Sequence, residues 1–333
     1  MDIASINHEQ VRKVAAVIKT LPPKAVLNFY SFNDDGTQDP FCKSMYPELG
    51  HPNTVDFLSF MGMQNHGYWT LKGDTYQAPI FGTLDGKTGV KGSDLLWQMA
   101  KRTFDKDPWF FTPRRLADVA YDDLVEKVFS DDNGPLPFRD LDARHDITNA
   151  YGEWFLTRNT TPANIVQAAN RKESPLQHFL QVYSDIPGYD EDPLEKKNVL
   201  TAMSLANRPE RLLNADPWNP DWTPIVDYHL MRFALRSGMV RLAPRHRDDN
   251  IARRLVDDEV EFAIRLSTYH VVDELIIESG KTMAAVDLAL WSARKFCPED
   301  YDLSKIRCGE CMYSPACIQD KELFQPVLET TNY

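Results

Sequence analysis

The feature that most constrains the fold is a group of cysteines near the end of the chain. Four of its five cysteines fall between positions 297 and 317, namely Cys297, Cys308, Cys311 and Cys317. The central CxxC pair lets two thiolates reach one metal centre from a tight turn, and the other two complete a four-sulfur site. The spacing suits a structural zinc ion and a [4Fe–4S] cluster equally, with incidental free thiols as the third interpretation. We therefore expect a metal-bearing loop and tail over residues 291–333.

The composition limits the compartment and the partners. With 333 residues and 43% hydrophobic content, the chain is expected to be globular, and it contains no apolar run as long as a membrane span. The start lacks the order of a signal peptide, which predicts a cytoplasmic protein with no membrane partner. The balance of 37 Lys+Arg against 49 Asp+Glu, net −12, disfavours broad nucleic-acid binding.

Helical periodicity covers most of the chain. The exception is the segment from about 66 to 92, where aromatic and β-branched residues alternate with the turns Lys72-Gly73-Asp74 and Asp85-Gly86, which predicts a small antiparallel sheet. Residues 250–279 read as one continuous helix. The prediction is a mostly α fold with an N-terminal helical lobe over 1–150, a second lobe over 151–290 and the cysteine loop.

Two internal segments join the cysteines in a pattern that resembles a known superfamily. The segment SDIPGYDEDPLEKKNVLTAMSLA (184–206) contains Ile186-Pro187-Gly188 before a lysine-bearing helix, and TPIVDYHLMRFALRSGMV (223–240) contains Val226, Asp227, His229 and Arg232. Together they resemble the endonuclease III family of helix-hairpin-helix DNA glycosylases. The first cysteine gap is ten residues here and six in that family. The resemblance implies a two-lobed helix-hairpin-helix glycosylase fold and favours [4Fe–4S] over zinc.

The same resemblance implies catalytic roles for Asp227 and for Lys196 or Lys197. A carboxylate at a helix N-terminus is kept ionised by the helix dipole and the free N–H groups. Cleavage of a base–sugar bond builds positive charge on the sugar, which such an anion stabilises while it also activates water. The alternatives are a plain N-cap for Asp227 and a solvated face for the two lysines.

Short motifs spread over about residues 25–280 resemble the queuosine salvage proteins, which are N-glycosylases acting on queuosine 5'-monophosphate. These motifs are VLNFYSF, GYW (67–69), LADVAYDDLVEKVFSDDNGPLPFRD (116–140) and VDYH. The cysteine tail is not a feature of that family. The archaeal 8-oxoguanine glycosylases are a further similar group.

Base recognition needs aromatic faces around a closed pocket. The candidates in the resembling segments, each of which could instead be core packing, are Phe29, Phe32, Tyr68, Trp69, Trp97 and Tyr228, with His229 beside them. Arg144 and His145 are candidates for a phosphate contact or a surface salt bridge. Asp190, Glu191 and Asp192 follow the hairpin and would oppose a DNA phosphate.

The sequence thus predicts an N-glycosylase that hydrolyses the base–sugar bond of a modified 7-deazaguanine (queuosine-type) nucleotide or nucleoside. Its expected partner is that small molecule, with DNA as the alternative. The rival enzyme is an iron–sulfur DNA glycosylase of base-excision repair. The rival outside catalysis is a nucleotide-binding protein that lacks the chemistry.

Overall fold

The computed structural model describes residues 2–21, 26–30 and 39–333, and this part of the chain is mostly helical, which confirms the predicted fold class. In chain order the helices are α1 (His8–Thr20), α2 (Pro40–Lys43), α3 (Thr54–Met63), α4 (Gly92–Lys106), α5 (Pro113–Leu116), α6 (Tyr121–Val128), α7 (Leu141–Thr157), α8 (Pro162–Ala169), α9 (Pro175–Tyr183), α10 (Lys196–Ala206), α11 (Tyr228–Ser237), α12 (Pro244–Ile251), α13 (Asp258–Ser279) and α14 (Met283–Ser292). Short 3-10 turns cover Pro108–Phe111, Ala293–Lys295, Leu303–Lys305 and Cys308–Glu310. No described helix combines the length and the apolar character needed to cross a membrane.

The strands form antiparallel pairs. They are β1 (Ala4–Ile6), β2 (Trp69–Lys72), β3 (Thr75–Pro79), β4 (Phe81–Leu84), β5 (Lys87–Lys91), β6 (Ser130–Asp131), β7 (Gly134–Pro135) and β8 (Val240–Leu242). The expected small sheet is present as two separate hairpins, β2–β3 and β4–β5. Each hairpin carries a register shift, between Thr70 and Leu71 and between Gly82 and Thr83. Such irregularities twist a two-stranded ribbon and disrupt the ladder locally, which favours separate hairpins over one flat sheet.

The described residues form two large hydrophobic clusters, here called the first and second lobe, and a small third cluster of Tyr76, Phe324 and Val327. The first contains side chains from α3, α4 and α6 to α10, and the second contains side chains from α1, α11, α13, α14 and the tail. The N-terminal segment joins the second lobe, because α1 packs on α13 and β1 pairs with β8. The divisions at residues 150 and 290 stay predictions.

The helix expected over residues 250–279 is interrupted, so this prediction was wrong in part. Between α12 and α13 the backbone leaves the helical path, and Arg253 has a φ of 57°. The N–H of Leu255 donates to the Asp74 carbonyl at 2.7 Å, and that of Val256 donates to the Val327 carbonyl at 3.0 Å. Hydrogen bonds to the β2–β3 turn and to the tail therefore replace the helical ones, a tertiary effect that periodicity does not encode.

The turn between α9 and α10 is packed into the first lobe. Gly188 is buried with a φ of +82°, and an added Cβ would lie 2.5 Å from Ile147 Cγ2 and 2.7 Å from Met63 Cγ. The next residue, Tyr189, is also buried, and its hydroxyl lies 3.1 Å from Thr201 Oγ1. Glycine is required here both for the left-handed backbone and for the close approach of neighbouring side chains.

Candidate active site

A cavity lies where the two hydrophobic clusters meet, and most of the sequence-predicted residues surround it. Its walls come from α4, α10, α11, α14 and the segments that precede α2, α3, β2 and α11. The predicted residues that line it are Phe29, Tyr68, Trp97, Lys196, Asp227, Tyr228 and His229. Further lining residues include Tyr46, Asn65, Asp94, Asp287, Trp291 and Tyr333. The fold thus brings charged groups of α10, α11 and α14 together with aromatic rings in one cavity.

Asp227 is the N-cap of α11 and also faces the cavity. Its Oδ1 accepts hydrogen bonds from the N–H of His229 at 2.8 Å and of Leu230 at 3.1 Å. Burial raises the pKa of the carboxyl, while the Lys196 ammonium and these N–H donors act in the opposite direction. Both bonds go to one oxygen, so Asp227 caps its helix through Oδ1 and at the same time lines the cavity.

Lys196 and Lys197 are both buried, which excludes the alternative that they form a solvated face. Lys196 lines the cavity, and its Nζ donates to the Asn65 carbonyl at 2.8 Å. Burial lowers its pKa to about 8, although the neighbouring Asp227 carboxylate opposes this effect. Lys197 is not a lining residue of the cavity: its Nζ donates to the Gly188 carbonyl at 2.9 Å, and burial lowers its pKa to about 7. The structure therefore separates the two lysines that the sequence left equivalent.

Arg265 of α13 ties the starts of α10 and α11 together. It donates to both carboxylate oxygens of Asp192, at 2.8 Å and 2.6 Å, and its Nε donates to the Val226 carbonyl at 3.2 Å. Asp192 also accepts from the N–H of Lys196 at 2.8 Å. The helix starts that carry Lys196 and Asp227 are thus held by one buried guanidinium. Asp192 points into the protein, so of the acidic residues after the hairpin only Asp190 and Glu191 are exposed.

A cluster of aromatic side chains forms the apolar part of the cavity wall. The ring centroids of Phe29 and Tyr46 lie 5.7 Å apart, and those of Tyr46 and Trp97 lie 5.3 Å apart. Phe29 holds a left-handed backbone with a φ of 50°, and its carbonyl accepts from Arg208 Nη1 at 2.7 Å. A non-glycine residue in that region is strained and persists because its surroundings fix it, a feature that clusters at ligand-binding sites. Tyr46 was not among the sequence candidates.

The remaining predicted residues have other positions. Trp69 borders a neighbouring cavity, and its ring centroid lies 5.9 Å from that of Tyr76. Phe32 lies outside the described residues. Arg144 is fully buried and donates to Asp140 Oδ1 and to the Gln64 carbonyl, each at 2.9 Å, so neither a phosphate contact nor a surface salt bridge describes it. His145 Nε2 lies 2.8 Å from the Val119 carbonyl.

His229 contributes a neutral imidazole to the cavity. Its ring lies 4.2 Å from the Tyr228 ring between centroids, and its Nδ1 accepts from Arg232 Nη2 at 2.9 Å. Burial and the Arg232 charge lower its pKa well below the usual range. With Nδ1 as acceptor, the proton of the neutral ring lies on Nε2, so the imidazole can donate one hydrogen bond to a ligand.

Asp287 is, like Tyr46, a site residue that sequence reasoning missed. The face of α14 that lines the cavity consists of Ala284, Asp287, Leu288 and Trp291. Burial raises the pKa of Asp287 to about 8, and the Asp227 charge adds to the rise. The spacing i, i+3, i+4, i+7 marks one face of a helix, and a lone aspartate on that face of an otherwise apolar helix was the available signal.

The four cysteines of the tail surround one small cavity beside α11. The other lining residues include Phe233, Phe296, Ile306 and Arg236. The thiols form no disulfide, and the close neighbours Cys297 and Cys308 add to the effect of burial, which raises the pKa of Cys317 to about 11. Arg236 Nη1 and the N–H of Gln319 donate to the sulfurs of Cys297 and Cys317, each at 3.3 Å. Apolar walls and N–H donors to sulfur fit a thiolate-held cluster.

The metal itself stays a prediction. Within the described ranges, no group of three or more His, Cys, Asp and Glu side chains is arranged as a ready-made site for a metal ion. The cysteine cavity nevertheless adjoins the helix that Asp227 caps, because Phe233 and Arg236 of α11 form part of its wall. Arg232 of the same helix links His229 to the Cys297 carbonyl through bonds of 2.9 Å and 3.2 Å.

The backbone path of the chain resembles that of a solved structure. No protein-family model matches the sequence, and no curated protein matches it. Among solved structures it is similar to Pa-AGOG, an 8-oxoguanine DNA glycosylase from Pyrobaculum aerophilum, in a crystal structure with 8-oxoguanosine. The identity is 15%, the match covers 93% of this chain and 96% of that chain, and the TM-score is 0.47. Substrate and activity therefore have to be inferred from the residues of the cavity.

Proposed function

We propose that this protein is an N-glycosylase that hydrolyses the base–sugar bond of a modified 7-deazaguanine, queuosine-type nucleotide or nucleoside. The observation that carries the proposal is the cavity that Asp227 and Lys196 line together with several aromatic rings. Aromatic walls hold a planar base, and a fixed carboxylate stabilises positive charge at the sugar carbon. A cavity with only one of these features would suit binding without cleavage.

In the proposed reaction Asp227 acts on the sugar side of the bond. Its carboxylate lies at the α11 N-terminus, where two backbone N–H groups favour the ionised form. It stabilises the oxocarbenium-like transition state and takes a proton from the attacking water. Lys196 supplies the balancing positive charge. With a pKa of about 8 it is mostly an ammonium near neutral pH, which suits hydrogen bonding to a substrate hydroxyl.

The proposed substrate class is a small molecule because the hairpin lacks the features of a DNA contact. The position after Gly188 is the buried Tyr189, which packs inward, and the exposed Asp190 and Glu191 would repel a phosphate backbone. The net charge of −12 also disfavours binding to a phosphate backbone. An iron–sulfur DNA glycosylase is the rival, and it predicts binding that weakens steeply with added salt.

For the cysteine loop we propose a [4Fe–4S] cluster held by Cys297, Cys308, Cys311 and Cys317, with structural zinc as the alternative. When bound, the cluster would crosslink the tail beneath α11, a structural contribution to the helix that carries Asp227. Brown protein that absorbs near about 400 nm and contains about four irons per chain would support this proposal. Colourless protein with one zinc per chain would replace it with the alternative.

The test of function is base release measured by mass spectrometry. Wild-type and Asp227→Asn protein would be incubated with queuosine 5'-monophosphate, a nucleoside panel and lesion-bearing DNA duplexes. Release from a nucleotide or nucleoside that disappears in the variant is the expected result. Release only from duplex DNA would make the rival correct, and ligand binding without any release would leave a nucleotide-binding protein.

A matched control is available for the capping role of Asp227. Asp302 caps a short 3-10 turn through the N–H of Ser304 at 3.0 Å and is exposed to solvent. Asp302→Asn makes the same chemical change at a helix start outside the cavity. We expect it to leave base release unchanged. Equal loss in both variants would assign the effect to capping and remove Asp227 from the chemistry.

A further inference from the structure

We propose that Asp287 is the general acid that protonates the departing base, so that the cavity holds two carboxylates with divided roles. This inference rests on the proposed glycosylase function and extends it to the other side of the scissile bond. Asp287 reaches the cavity from α14, and Asp227 reaches it from the start of α11. Two carboxylates on separate walls of one cavity are the arrangement that glycoside cleavage uses for its acid and its anion.

The backbone decides which carboxylate keeps the proton. Asp227 receives two N–H donors at a helix start, whereas Asp287 lies within α14, where backbone N–H groups are engaged in helical bonds. Among the described residues no hydrogen-bond donor is found on the Asp287 carboxylate. Two nearby carboxylates in a low-dielectric space do not both ionise, so the proton resides on the one that lacks donors. The raised pKa of Asp287, about 8, agrees with this division.

The other ionisable groups of the cavity leave this division intact. Lys196 acts on both carboxylates and opposes the rise of each pKa. Asp94 lies at the start of α4 and has Arg294 at 3.8 Å as an ion-pair partner. His229 is neutral, since burial and Arg232 lower its pKa. Of the two carboxyls Asp227 and Asp287, it is therefore Asp287 that keeps its proton near neutral pH, while the Lys196 ammonium balances the Asp227 charge.

The proposed step balances as hydrolysis. The bond between the sugar carbon and the base nitrogen breaks, and its electron pair leaves with the base while the Asp287 proton moves to that base. A water molecule attacks the sugar carbon, gives one proton to Asp227 and leaves its hydroxyl group on the sugar. The products are therefore the neutral base and the free sugar. The Asp227 carboxyl then releases its proton to solvent and the Asp287 carboxylate regains one, which restores both groups for the next turnover. Transfer of a proton in the transition state contributes about 10²- to 10⁴-fold to the rate.

Queuosine is the reference substrate, on which Asp287→Asn should lose kcat as it does on guanosine, and the deciding comparison of this variant with wild type is between guanosine and 7-methylguanosine. These two nucleosides present the same pairing edge, but the methylated base already carries a positive charge and leaves without a proton. We expect the kcat for guanosine to fall by about 10²- to 10⁴-fold, while the kcat for 7-methylguanosine changes by less than about tenfold. Asp227→Asn should slow both, because both pass through the same positively charged sugar. Equal losses on both nucleosides in Asp287→Asn would overturn the proposal and make Asp287 a binding residue.

A second measurement keeps the test independent of turnover. Infrared difference spectra at pH 6 and pH 10 should contain a carbonyl band of a protonated carboxyl that disappears at high pH and is missing in Asp287→Asn. An ionised Asp287 at pH 6 would overturn the proposal even if the enzyme is active. If wild-type protein shows this band but releases no base from any nucleoside, the proposed glycosylase function fails while the protonated carboxyl stands.

Discussion

Arg265 and Asp192 form a buried ion pair with two hydrogen bonds, Nη1 to Oδ1 at 2.8 Å and Nη2 to Oδ2 at 2.6 Å. Loss of one partner leaves an uncompensated buried charge, so Arg265→Met should lower the free energy of unfolding by about 3–5 kcal/mol. Urea denaturation measures this change. The matched control is Arg254→Met, whose exposed pair with Asp249 also spans 2.8 Å and is worth less than about 1 kcal/mol. Equal effects of the two substitutions would contradict the stabilising role of the buried Arg265–Asp192 pair.

Gly188→Ala should destabilise the protein more than a change of glycine at another left-handed position. The added Cβ would lie 2.5 Å from Ile147 Cγ2, and the alanine would also have to adopt a left-handed backbone with a φ of +82°. The two effects together cost about 2–5 kcal/mol. Gly280→Ala is the control, because its φ is +65° with nothing within 4 Å, which leaves only the backbone cost of about 1–2 kcal/mol. Thermal unfolding of both variants checks the prediction, and a smaller loss in Gly188→Ala would refute it.

The two adjacent lysines should respond differently to the same substitution. Lys196→Met removes the cation that lines the cavity, and we expect base release to fall by about 10²-fold or more. Lys197→Met removes a hydrogen bond to the Gly188 carbonyl, so its effect falls on stability, about 1 kcal/mol, and activity is retained. Initial rates and melting temperatures of both variants measure this difference. Loss of activity in Lys197→Met with normal activity in Lys196→Met would reverse the assignment.

The stability of Asp287→Asn relative to wild type should increase with pH. In the folded protein the pKa of Asp287 is raised to about 8 from an ordinary value of 3.8. The folded state therefore holds this proton more tightly, and the stability it contributes is full at low pH and is lost as pH rises from about 4 to about 8. Asparagine has no such loss. Urea denaturation at several pH values in this window should show a growing difference, and a constant difference would contradict the raised pKa.

Removal of the proposed metal should loosen α11. Arg236 donates to Cys297 Sγ at 3.3 Å and to the Pro298 carbonyl at 2.9 Å, so the cysteine loop supports one side of this helix. After chelation we expect faster hydrogen exchange in α11 (Tyr228–Ser237), with α7 (Leu141–Thr157) in the other lobe as the unchanged control. Unaltered hydrogen exchange in α11 would show that the metal in the cysteine loop does not stabilise this helix.

Local features of the structure could be predicted from the sequence. Asp227 was predicted to lie at a helix N-terminus, and in the structure it is the N-cap of α11, which ends at the left-handed Gly238 with a φ of 81°. Caps, turns and helical periodicity depend on neighbours within a few residues, which is why these predictions were accurate. The grouping of Cys297, Cys308, Cys311 and Cys317 around one cavity also follows from their short spacing.

Tertiary structure alone decided which side chains share the cavity. Tyr46 precedes α3, whereas Asp287 and Trp291 lie on α14 near the other end of the chain, and no local pattern indicates that these two segments meet at one site. The same holds for Asp192, which looked like an exposed acid after the hairpin but meets Arg265 of a distant helix. The sequence by itself determined local features such as the N-cap of α11 and identified Asp227 and Lys196 as candidates for the chemistry. Packing of the two lobes decided which side chains meet, because burial and charge pairing depend on contacts that the local pattern does not specify.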